Sequence, residues 1–162
     1  MSVVDAESRV THDDHLSVRV WLRLLACTNL VEGAVASGLR DAFDTTLPRF
    51  DFLSQLERNP AGLRMTEISR RMMVTGGNIT RIADQLAAEG LITRSAAPGD
   101  RRASVVKLSA AGRRAFGEMA RRHEDWIVTM FAGLSVAERT QLHALLAKLK
   151  RHLNTLESER PR

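Results

Sequence analysis

Apolar positions recur every three or four residues at Leu16, Val20, Leu24, Thr28, Val31, Val35, Leu39 and Phe43, so the chain from Asp13 to about Phe43 reads as one helix. A helix of about 30 residues spans roughly 45 Å, longer than one compact domain needs. Gly33 and Gly38 fall inside it and disfavour it by roughly 1 kcal/mol each relative to Ala, marking a bend or a close approach by another helix or a ligand. Thr46-Leu47-Pro48 opens a second helix, with Pro48 suited to the first turn and Leu53 and Leu56 as its core contacts; Asn59-Pro60-Ala61-Gly62 ends it.

The pattern then tightens. Thr66 is placed to cap a short helix with Ile68 and Met72 inward. The run Thr75-Gly76-Gly77-Asn78-Ile79-Thr80-Arg81 opens another, with Ile79, Ile82, Ala83 and Leu86 on its inner face and Gly90 as its stop. Leu91 to Arg94 and Ala103 to Leu108 read as two strands joined by a turn over Ala97-Pro98-Gly99-Asp100-Arg101-Arg102. Ser109 caps a further helix striped by Phe116, Met119, His123, Trp126, Ile127 and Met130, which Gly133 breaks. Ser135-Val136-Ala137-Glu138 has the spacing of a capping box and precedes Leu142, Leu145, Leu146, Leu149, Leu153 and Leu156.

These elements predict a mainly α fold with a small antiparallel β-hairpin, an α+β winged helix-turn-helix flanked by terminal helices. Residues 1–12 are expected to be a flexible tail, 13–45 and 109–157 dimerisation helices, 46–108 the winged lobe, and 158–162 a second tail. A lobe this small cannot cover the apolar stripes at both ends of the chain. Burying them against each other and a second subunit predicts a homodimer, whose two-fold symmetry matches that of palindromic DNA. A monomeric helical bundle is the competing arrangement, and the length of the first helix argues against it.

Charge sharpens this picture. The 162 residues carry a formal net charge of +5. Between Pro60 and Leu108, eight basic residues (Arg64, Arg70, Arg71, Arg81, Arg94, Arg101, Arg102, Lys107) face four acids (Glu67, Asp84, Glu89, Asp100). The excess thus sits on the lobe that resembles a DNA reader. A single cysteine, Cys27, excludes an internal disulfide and fits a reducing compartment. No secretory leader and no apolar run of about 18 residues are present, so a cytoplasmic protein is expected. No nucleophile elbow, phosphate-binding loop or paired cysteines can be found, which argues against an enzyme and gives no catalytic residue, metal ligand or cofactor.

The stretches "TLPRFDFLSQL" (46–56), "MTEISRRMMVTGGNITRIADQLAAEGLITR" (65–94), "DRR" (100–102) and "VKLSAAGRRAF" (106–116) occur in an order and spacing that resemble the MarR-type (multiple antibiotic resistance regulator) winged-helix transcription factors, over about residues 15–156. The first two stretches further resemble the branch controlling aromatic-acid catabolism. The resemblance implies an obligate homodimer with recognition helices in successive major grooves of an operator, wings in the flanking minor grooves, and release by a small phenolic or anionic ligand. It also implies a repressor whose effector is an aromatic acid or its CoA thioester.

On the recognition helix the inner positions leave Gly76, Gly77, Asn78, Thr80, Arg81, Asp84 and Gln85 outward. Asn pairs with adenine edges, Arg with guanine, and a Thr methyl touches a thymine methyl. The predicted DNA-binding set is Arg70, Thr75, Gly76, Asn78, Thr80, Arg81, Asp100, Arg101 and Arg102. In it, Asp100 holds Arg102, which the resemblance makes the minor-groove arginine, while Arg101 and Arg70, with Arg71, meet phosphates. For ligand binding the resemblance implies a crevice with Arg49 and Phe52 beside Pro48, faced by Asn29 or Arg40. For each residue, a packing or solvated role is the alternative. Cys27 is expected to be a buried, inert thiol, because the peroxide sensors of this family rely on tyrosine and the chain has none. His12-Asp13-Asp14-His15 is expected to start the first helix rather than bind metal. A metal- or redox-responsive regulator and a non-DNA helical interaction module stand as the other functional readings.

Overall fold

The computed structural model describes residues 15–72, 79–97 and 99–159, with the backbone alone at 100–103. The elements run α1 (Leu16–Phe43), α2 (Leu47–Glu57), β1 (Leu63–Arg64), α3 (Met65–Arg71), α4 (Ile79–Ala88), β2 (Ile92–Ala97), β3 (Asp100–Leu108), α5 (Ala110–Met130) and α6 (Val136–Ser158). The fold is mostly helical with one small antiparallel sheet, the class read from the sequence. Two compact units can be separated, one ending at Glu124 and one beginning at Asp125.

The core of the first unit is built around α2. Seven successive residues, Phe50 to Leu56, are buried, so this helix is enclosed on every side rather than striped. Three of them are polar, and two of these are hydrogen-bonded to each other, the Gln55 amide donating to Asp51 Oδ1 at 3.2 Å. Helix α1 buries only Val35 and Leu39, one turn apart near its end, and stops at Asp44, whose left-handed φ of 49° an Asp tolerates. The rest of α1 leaves Leu16, Val18, Val20, Trp21, Leu25 and Leu30 exposed, Leu30 to 75%. Among the described residues, nothing lies within 4 Å of a Cβ placed at Gly33.

The sheet has three strands in the order β1-β3-β2, where the sequence predicts a two-stranded hairpin. Strand β1 is two residues long, too short to leave a periodic signature, and pairs Leu63 with Val106 and Arg64 with Val105. It needs Gly62, with φ +94°: a Cβ there would lie 2.5 Å from Val105 Cγ1. The hairpin is also longer than predicted. Strand β2 reaches Ala97 and β3 starts at Asp100, so two residues rather than eight separate the strands. Ser95 and Ala96 join the ladder through backbone groups alone, which hydropathy does not reveal. The register shifts between Ala96 and Ala97, and the irregularity falls on residues 101–103 of β3.

Helix starts follow local chemistry, with one correction. Arg64, not Thr66, precedes α3, and its amide is satisfied by the Glu67 carboxylate at 2.9 Å. Thr46 precedes α2 with Pro48 in its first turn. Ser109 Oγ accepts the Gly112 amide at 2.9 Å at the start of α5. In the second unit, Ser135 and Glu138 form the predicted capping box of α6. No residue of α6 is buried, and Leu142, Leu145, Leu146, Leu149, Leu153 and Leu156 are all exposed. Among the described residues no helix is long and apolar enough to cross a membrane.

Candidate nucleic-acid interface and effector cleft

Helix α4 is sharply two-faced. Ile82, Ala83 and Leu86 are buried, while Thr80, Arg81, Asp84 and Gln85 are exposed on the other side. Its C-terminal end is fixed by a Schellman arrangement: the amide of Gly90 (φ +73°) reaches the Ala87 carbonyl and that of Leu91 reaches the Leu86 carbonyl. The Ser109 hydroxyl then donates to the Gly90 carbonyl at 2.6 Å, and the Ser109 amide to Leu91 O at 3.0 Å, tying the helix end to α5. On the exposed face Asp84 pairs with Arg94 of β2 at 2.7 Å. Both side chains are substantially exposed, so the pair adds little stability. Its use is positional: it links α4 to the hairpin and offsets an acid on the exposed face of α4.

The predicted DNA-contacting residues divide by what is described. Thr80 and Arg81 are exposed on α4. Arg70 is exposed at the end of α3, its Nε 3.4 Å from the Thr66 carbonyl. Arg71 beside it is held by Asn59 Oδ1 at 2.8 Å. Thr75, Gly76 and Asn78 lie outside the described residues, as do the side chains of Asp100, Arg101 and Arg102, whose backbone belongs to β3. Charge complementarity, not sequence spacing, exposes the Asp84–Arg94 link, and the sequence analysis did not find it.

A cleft of about 310 Å³ lies behind α4. Its apolar walls are Phe43, Leu91, Ala115 and Met119, and Asp44, Thr45, Arg49, Glu89 and Glu118 supply its polar groups. Of the predicted ligand-binding residues, Arg49 alone lines it. Phe52 is wholly buried in the core and cannot line a crevice, and this corrects its assignment: on an enclosed helix, adjacency to Pro48 does not imply access to solvent. Asn29 and Arg40 are exposed on α1 and are not part of the cleft. The Arg49 guanidinium donates through Nη2 to the Glu89 carboxylate, joining α2 to the residue that follows α4, and its buried Nε has no hydrogen-bond partner. Glu89, Asp44 and Glu118 carry no motif and were not singled out from the sequence.

Two further residues differ from expectation or extend it. Cys27 is exposed on α1, not buried, because this helix buries side chains only near its C-terminal end. His123 of α5 stacks on Phe50, ring centroids 4.9 Å apart, and Phe50 stacks in turn on Phe116 at 5.4 Å. Partial burial lowers the His123 pKa below its ordinary value. His15 is exposed, and residues 12–14 lie outside the described residues. Among the described residues, no group of three His, Cys, Asp or Glu side chains is spaced to hold a metal ion.

Residues 43–103 match the model of the MarR family. The chain is 25% identical over 96 residues to the HTH-type transcriptional regulator YdgJ of Bacillus subtilis, covering 59% of this chain and 58% of that protein. In three dimensions it resembles a MarR family transcriptional regulator from Silicibacter pomeroyi, with TM-score 0.76 and 25% identity over 89% of this chain and 99% of that one. It also shares the fold of a mutant MarR from E. coli crystallised with operator DNA, with TM-score 0.71 and 20% identity over 86% and 99% of the two chains. Residues 43–103 thus match the MarR family in sequence, and the α3–α4 pair, the three-stranded sheet and the long flanking helices share the fold of solved MarR-family regulators.

Proposed function

We propose that this protein is a transcriptional repressor that binds a palindromic duplex operator as a homodimer and lets it go when a small ligand occupies the cleft behind α4. The observation that carries the proposal is α4 itself: a helix anchored at its end, polar and exposed along one side, and followed by a hairpin whose second strand starts at Asp100-Arg101-Arg102. Thr80 and Arg81, with Thr75, Gly76 and Asn78 before them, read base edges and phosphates in the major groove. Arg70 contacts the backbone. Arg102, steadied by Asp100, enters the minor groove, with Arg101 on a neighbouring phosphate. The E. coli relative of the same fold was crystallised with operator DNA, which supports this mode of binding.

The homodimer is supported by helices whose apolar side chains stand exposed among the described residues. Helix α1 and helix α6 each expose a series of large apolar side chains, more than scattered surface residues would supply. The domain assignment follows: residues 13–45 and 109–157 dimerise, and 46–108 read DNA.

Ligand release works by population shift, the ligand binding more tightly to a form whose recognition helices misfit successive grooves. Sequence resemblance puts aromatic acids and their CoA thioesters first among compounds to test, with Arg49 as their partner. Anisotropy of a labelled duplex from upstream of the coding sequence tests the proposal: binding lost on adding one ligand class is expected. Binding that no ligand changes would remove the effector from the account, and failure to bind any such duplex would favour a helical interaction module.

A further inference from the structure

We infer that the cleft behind α4 takes a small organic cation, a ring or short apolar body bearing an ammonium group, and that this ligand acts by competing with Arg49 for Glu89. The inference rests on the ligand-released reading above and gives the ligand the opposite charge from the one that sequence resemblance favours. The cleft carries three carboxylates, Asp44, Glu89 and Glu118, against one guanidinium. That guanidinium is already committed to Glu89. An entering ligand therefore meets a lining in which carboxylates outnumber guanidinium groups, with Asp44 and Glu118 both exposed. A carboxylate would add a further like charge, whereas an ammonium relieves the repulsion already there.

Size and lining agree with this class. Phe43, Leu91 and Met119 supply an apolar surface, and about 310 Å³ holds a single ring with a short arm, at the small end of ligand sites. A CoA thioester is far larger than this. The acids are not a metal cage, since among the described residues no trio of ligating side chains is spaced for one.

Position gives the ligand its effect. The end of α4 is held from two sides, by Ser109 of α5 through the Gly90 carbonyl and by Arg49 of α2 through Glu89. An ammonium that takes the Glu89 carboxylate frees Arg49, whose Nε is already without a partner, and leaves the helix end tied to α5 alone. The recognition helix then keeps its apolar packing against the core but loses the ion pair that ties its end to α2, and the aim of its exposed face changes.

The test is calorimetric titration of the full-length protein, without DNA, using three probes of one shape: phenethylamine, 2-phenylethanol and 3-phenylpropanoate. Binding in the order amine, alcohol, acid is expected. The double variant Asp44→Asn/Glu118→Gln should weaken the amine about fivefold, as expected for exposed charge pairs. Both positions are exposed and Asn tolerates the left-handed backbone at 44, so circular dichroism should show an unchanged fold. Tighter binding of the acid, no binding of the amine, or an amine affinity indifferent to the double variant would overturn the inference. Operator anisotropy run in parallel separates the two readings. Operator released by the acid and not by the amine sinks the cation and keeps the ligand-released regulator. Amine binding that leaves the operator in place sinks the competition for Glu89.

Discussion

Gly112 illustrates how single residues set the position of the recognition helix. A Cβ at this position would lie 1.8 Å from the Leu91 carbonyl oxygen, a backbone atom that cannot step aside. Leu91 is the residue that closes α4, so any side chain at 112 pushes directly on the end of that helix. Gly112→Ala should cost about 1–3 kcal/mol, as overpacking does, measured by urea unfolding; a change within 0.5 kcal/mol would mean the contact gives way. His123 makes a second residue-scale prediction. Burial lowers its pKa, so the unfolded chain takes up the proton first as pH falls. Stability should therefore decline as the pH drops below about 6.5, the unperturbed value for histidine. His123→Phe, which keeps the stack on Phe50, should flatten that part of the profile. An equal slope in both proteins would assign the effect to other groups.

Legibility in the sequence varied at this same scale. Caps and stops were readable because they depend on neighbours in the chain: Ser109, Ser135 with Glu138, Pro48 and Gly90 all do what their types and spacing predict. Contacts between distant residues were not. Arg49 with Glu89, Arg94 with Asp84, and His123 on Phe50 depend on how elements pack, and nothing local marks them. Phe52 was misassigned and Cys27 misplaced for one reason: hydrophobic spacing tells which residues share a face, but not whether a partner covers it.

At the scale of elements, the proposed complex divides DNA recognition between α4 and the hairpin, and substitution should separate their shares. Arg81→Ala should lower affinity for the operator by about 1–3 kcal/mol and relax preference at one base position. Arg102→Ala should weaken binding and lessen its dependence on salt, since a minor-groove arginine acts largely through charge. Titration of both variants on one operator and on a scrambled duplex reads the two effects. Identical losses on both duplexes would deny α4 any role in reading sequence. The helix periods, the helix-turn-helix and the existence of a hairpin were legible because each repeats a pattern over many residues. Strand β1 and the outer half of the hairpin were not, because two residues are too few for a period and Ser95 and Ala96 carry no apolar alternation.

For the whole molecule, the exposed leucines of α6 and the apolar start of α1 support the proposed dimer. Leu145→Glu/Leu149→Glu should convert the protein to a monomer by light scattering and abolish tight operator binding, while the lobe around α2 stays folded. A monomeric parent protein would overturn the dimer outright. The account stands most directly on one measurement: fluorescence anisotropy of the parent protein on a labelled duplex from upstream of its coding sequence, at two salt concentrations, with a scrambled duplex as competitor. The account predicts two chains per duplex, affinity that falls steeply with salt, and little displacement by the scrambled competitor. Equal displacement by either duplex, or no binding at low salt, would contradict it.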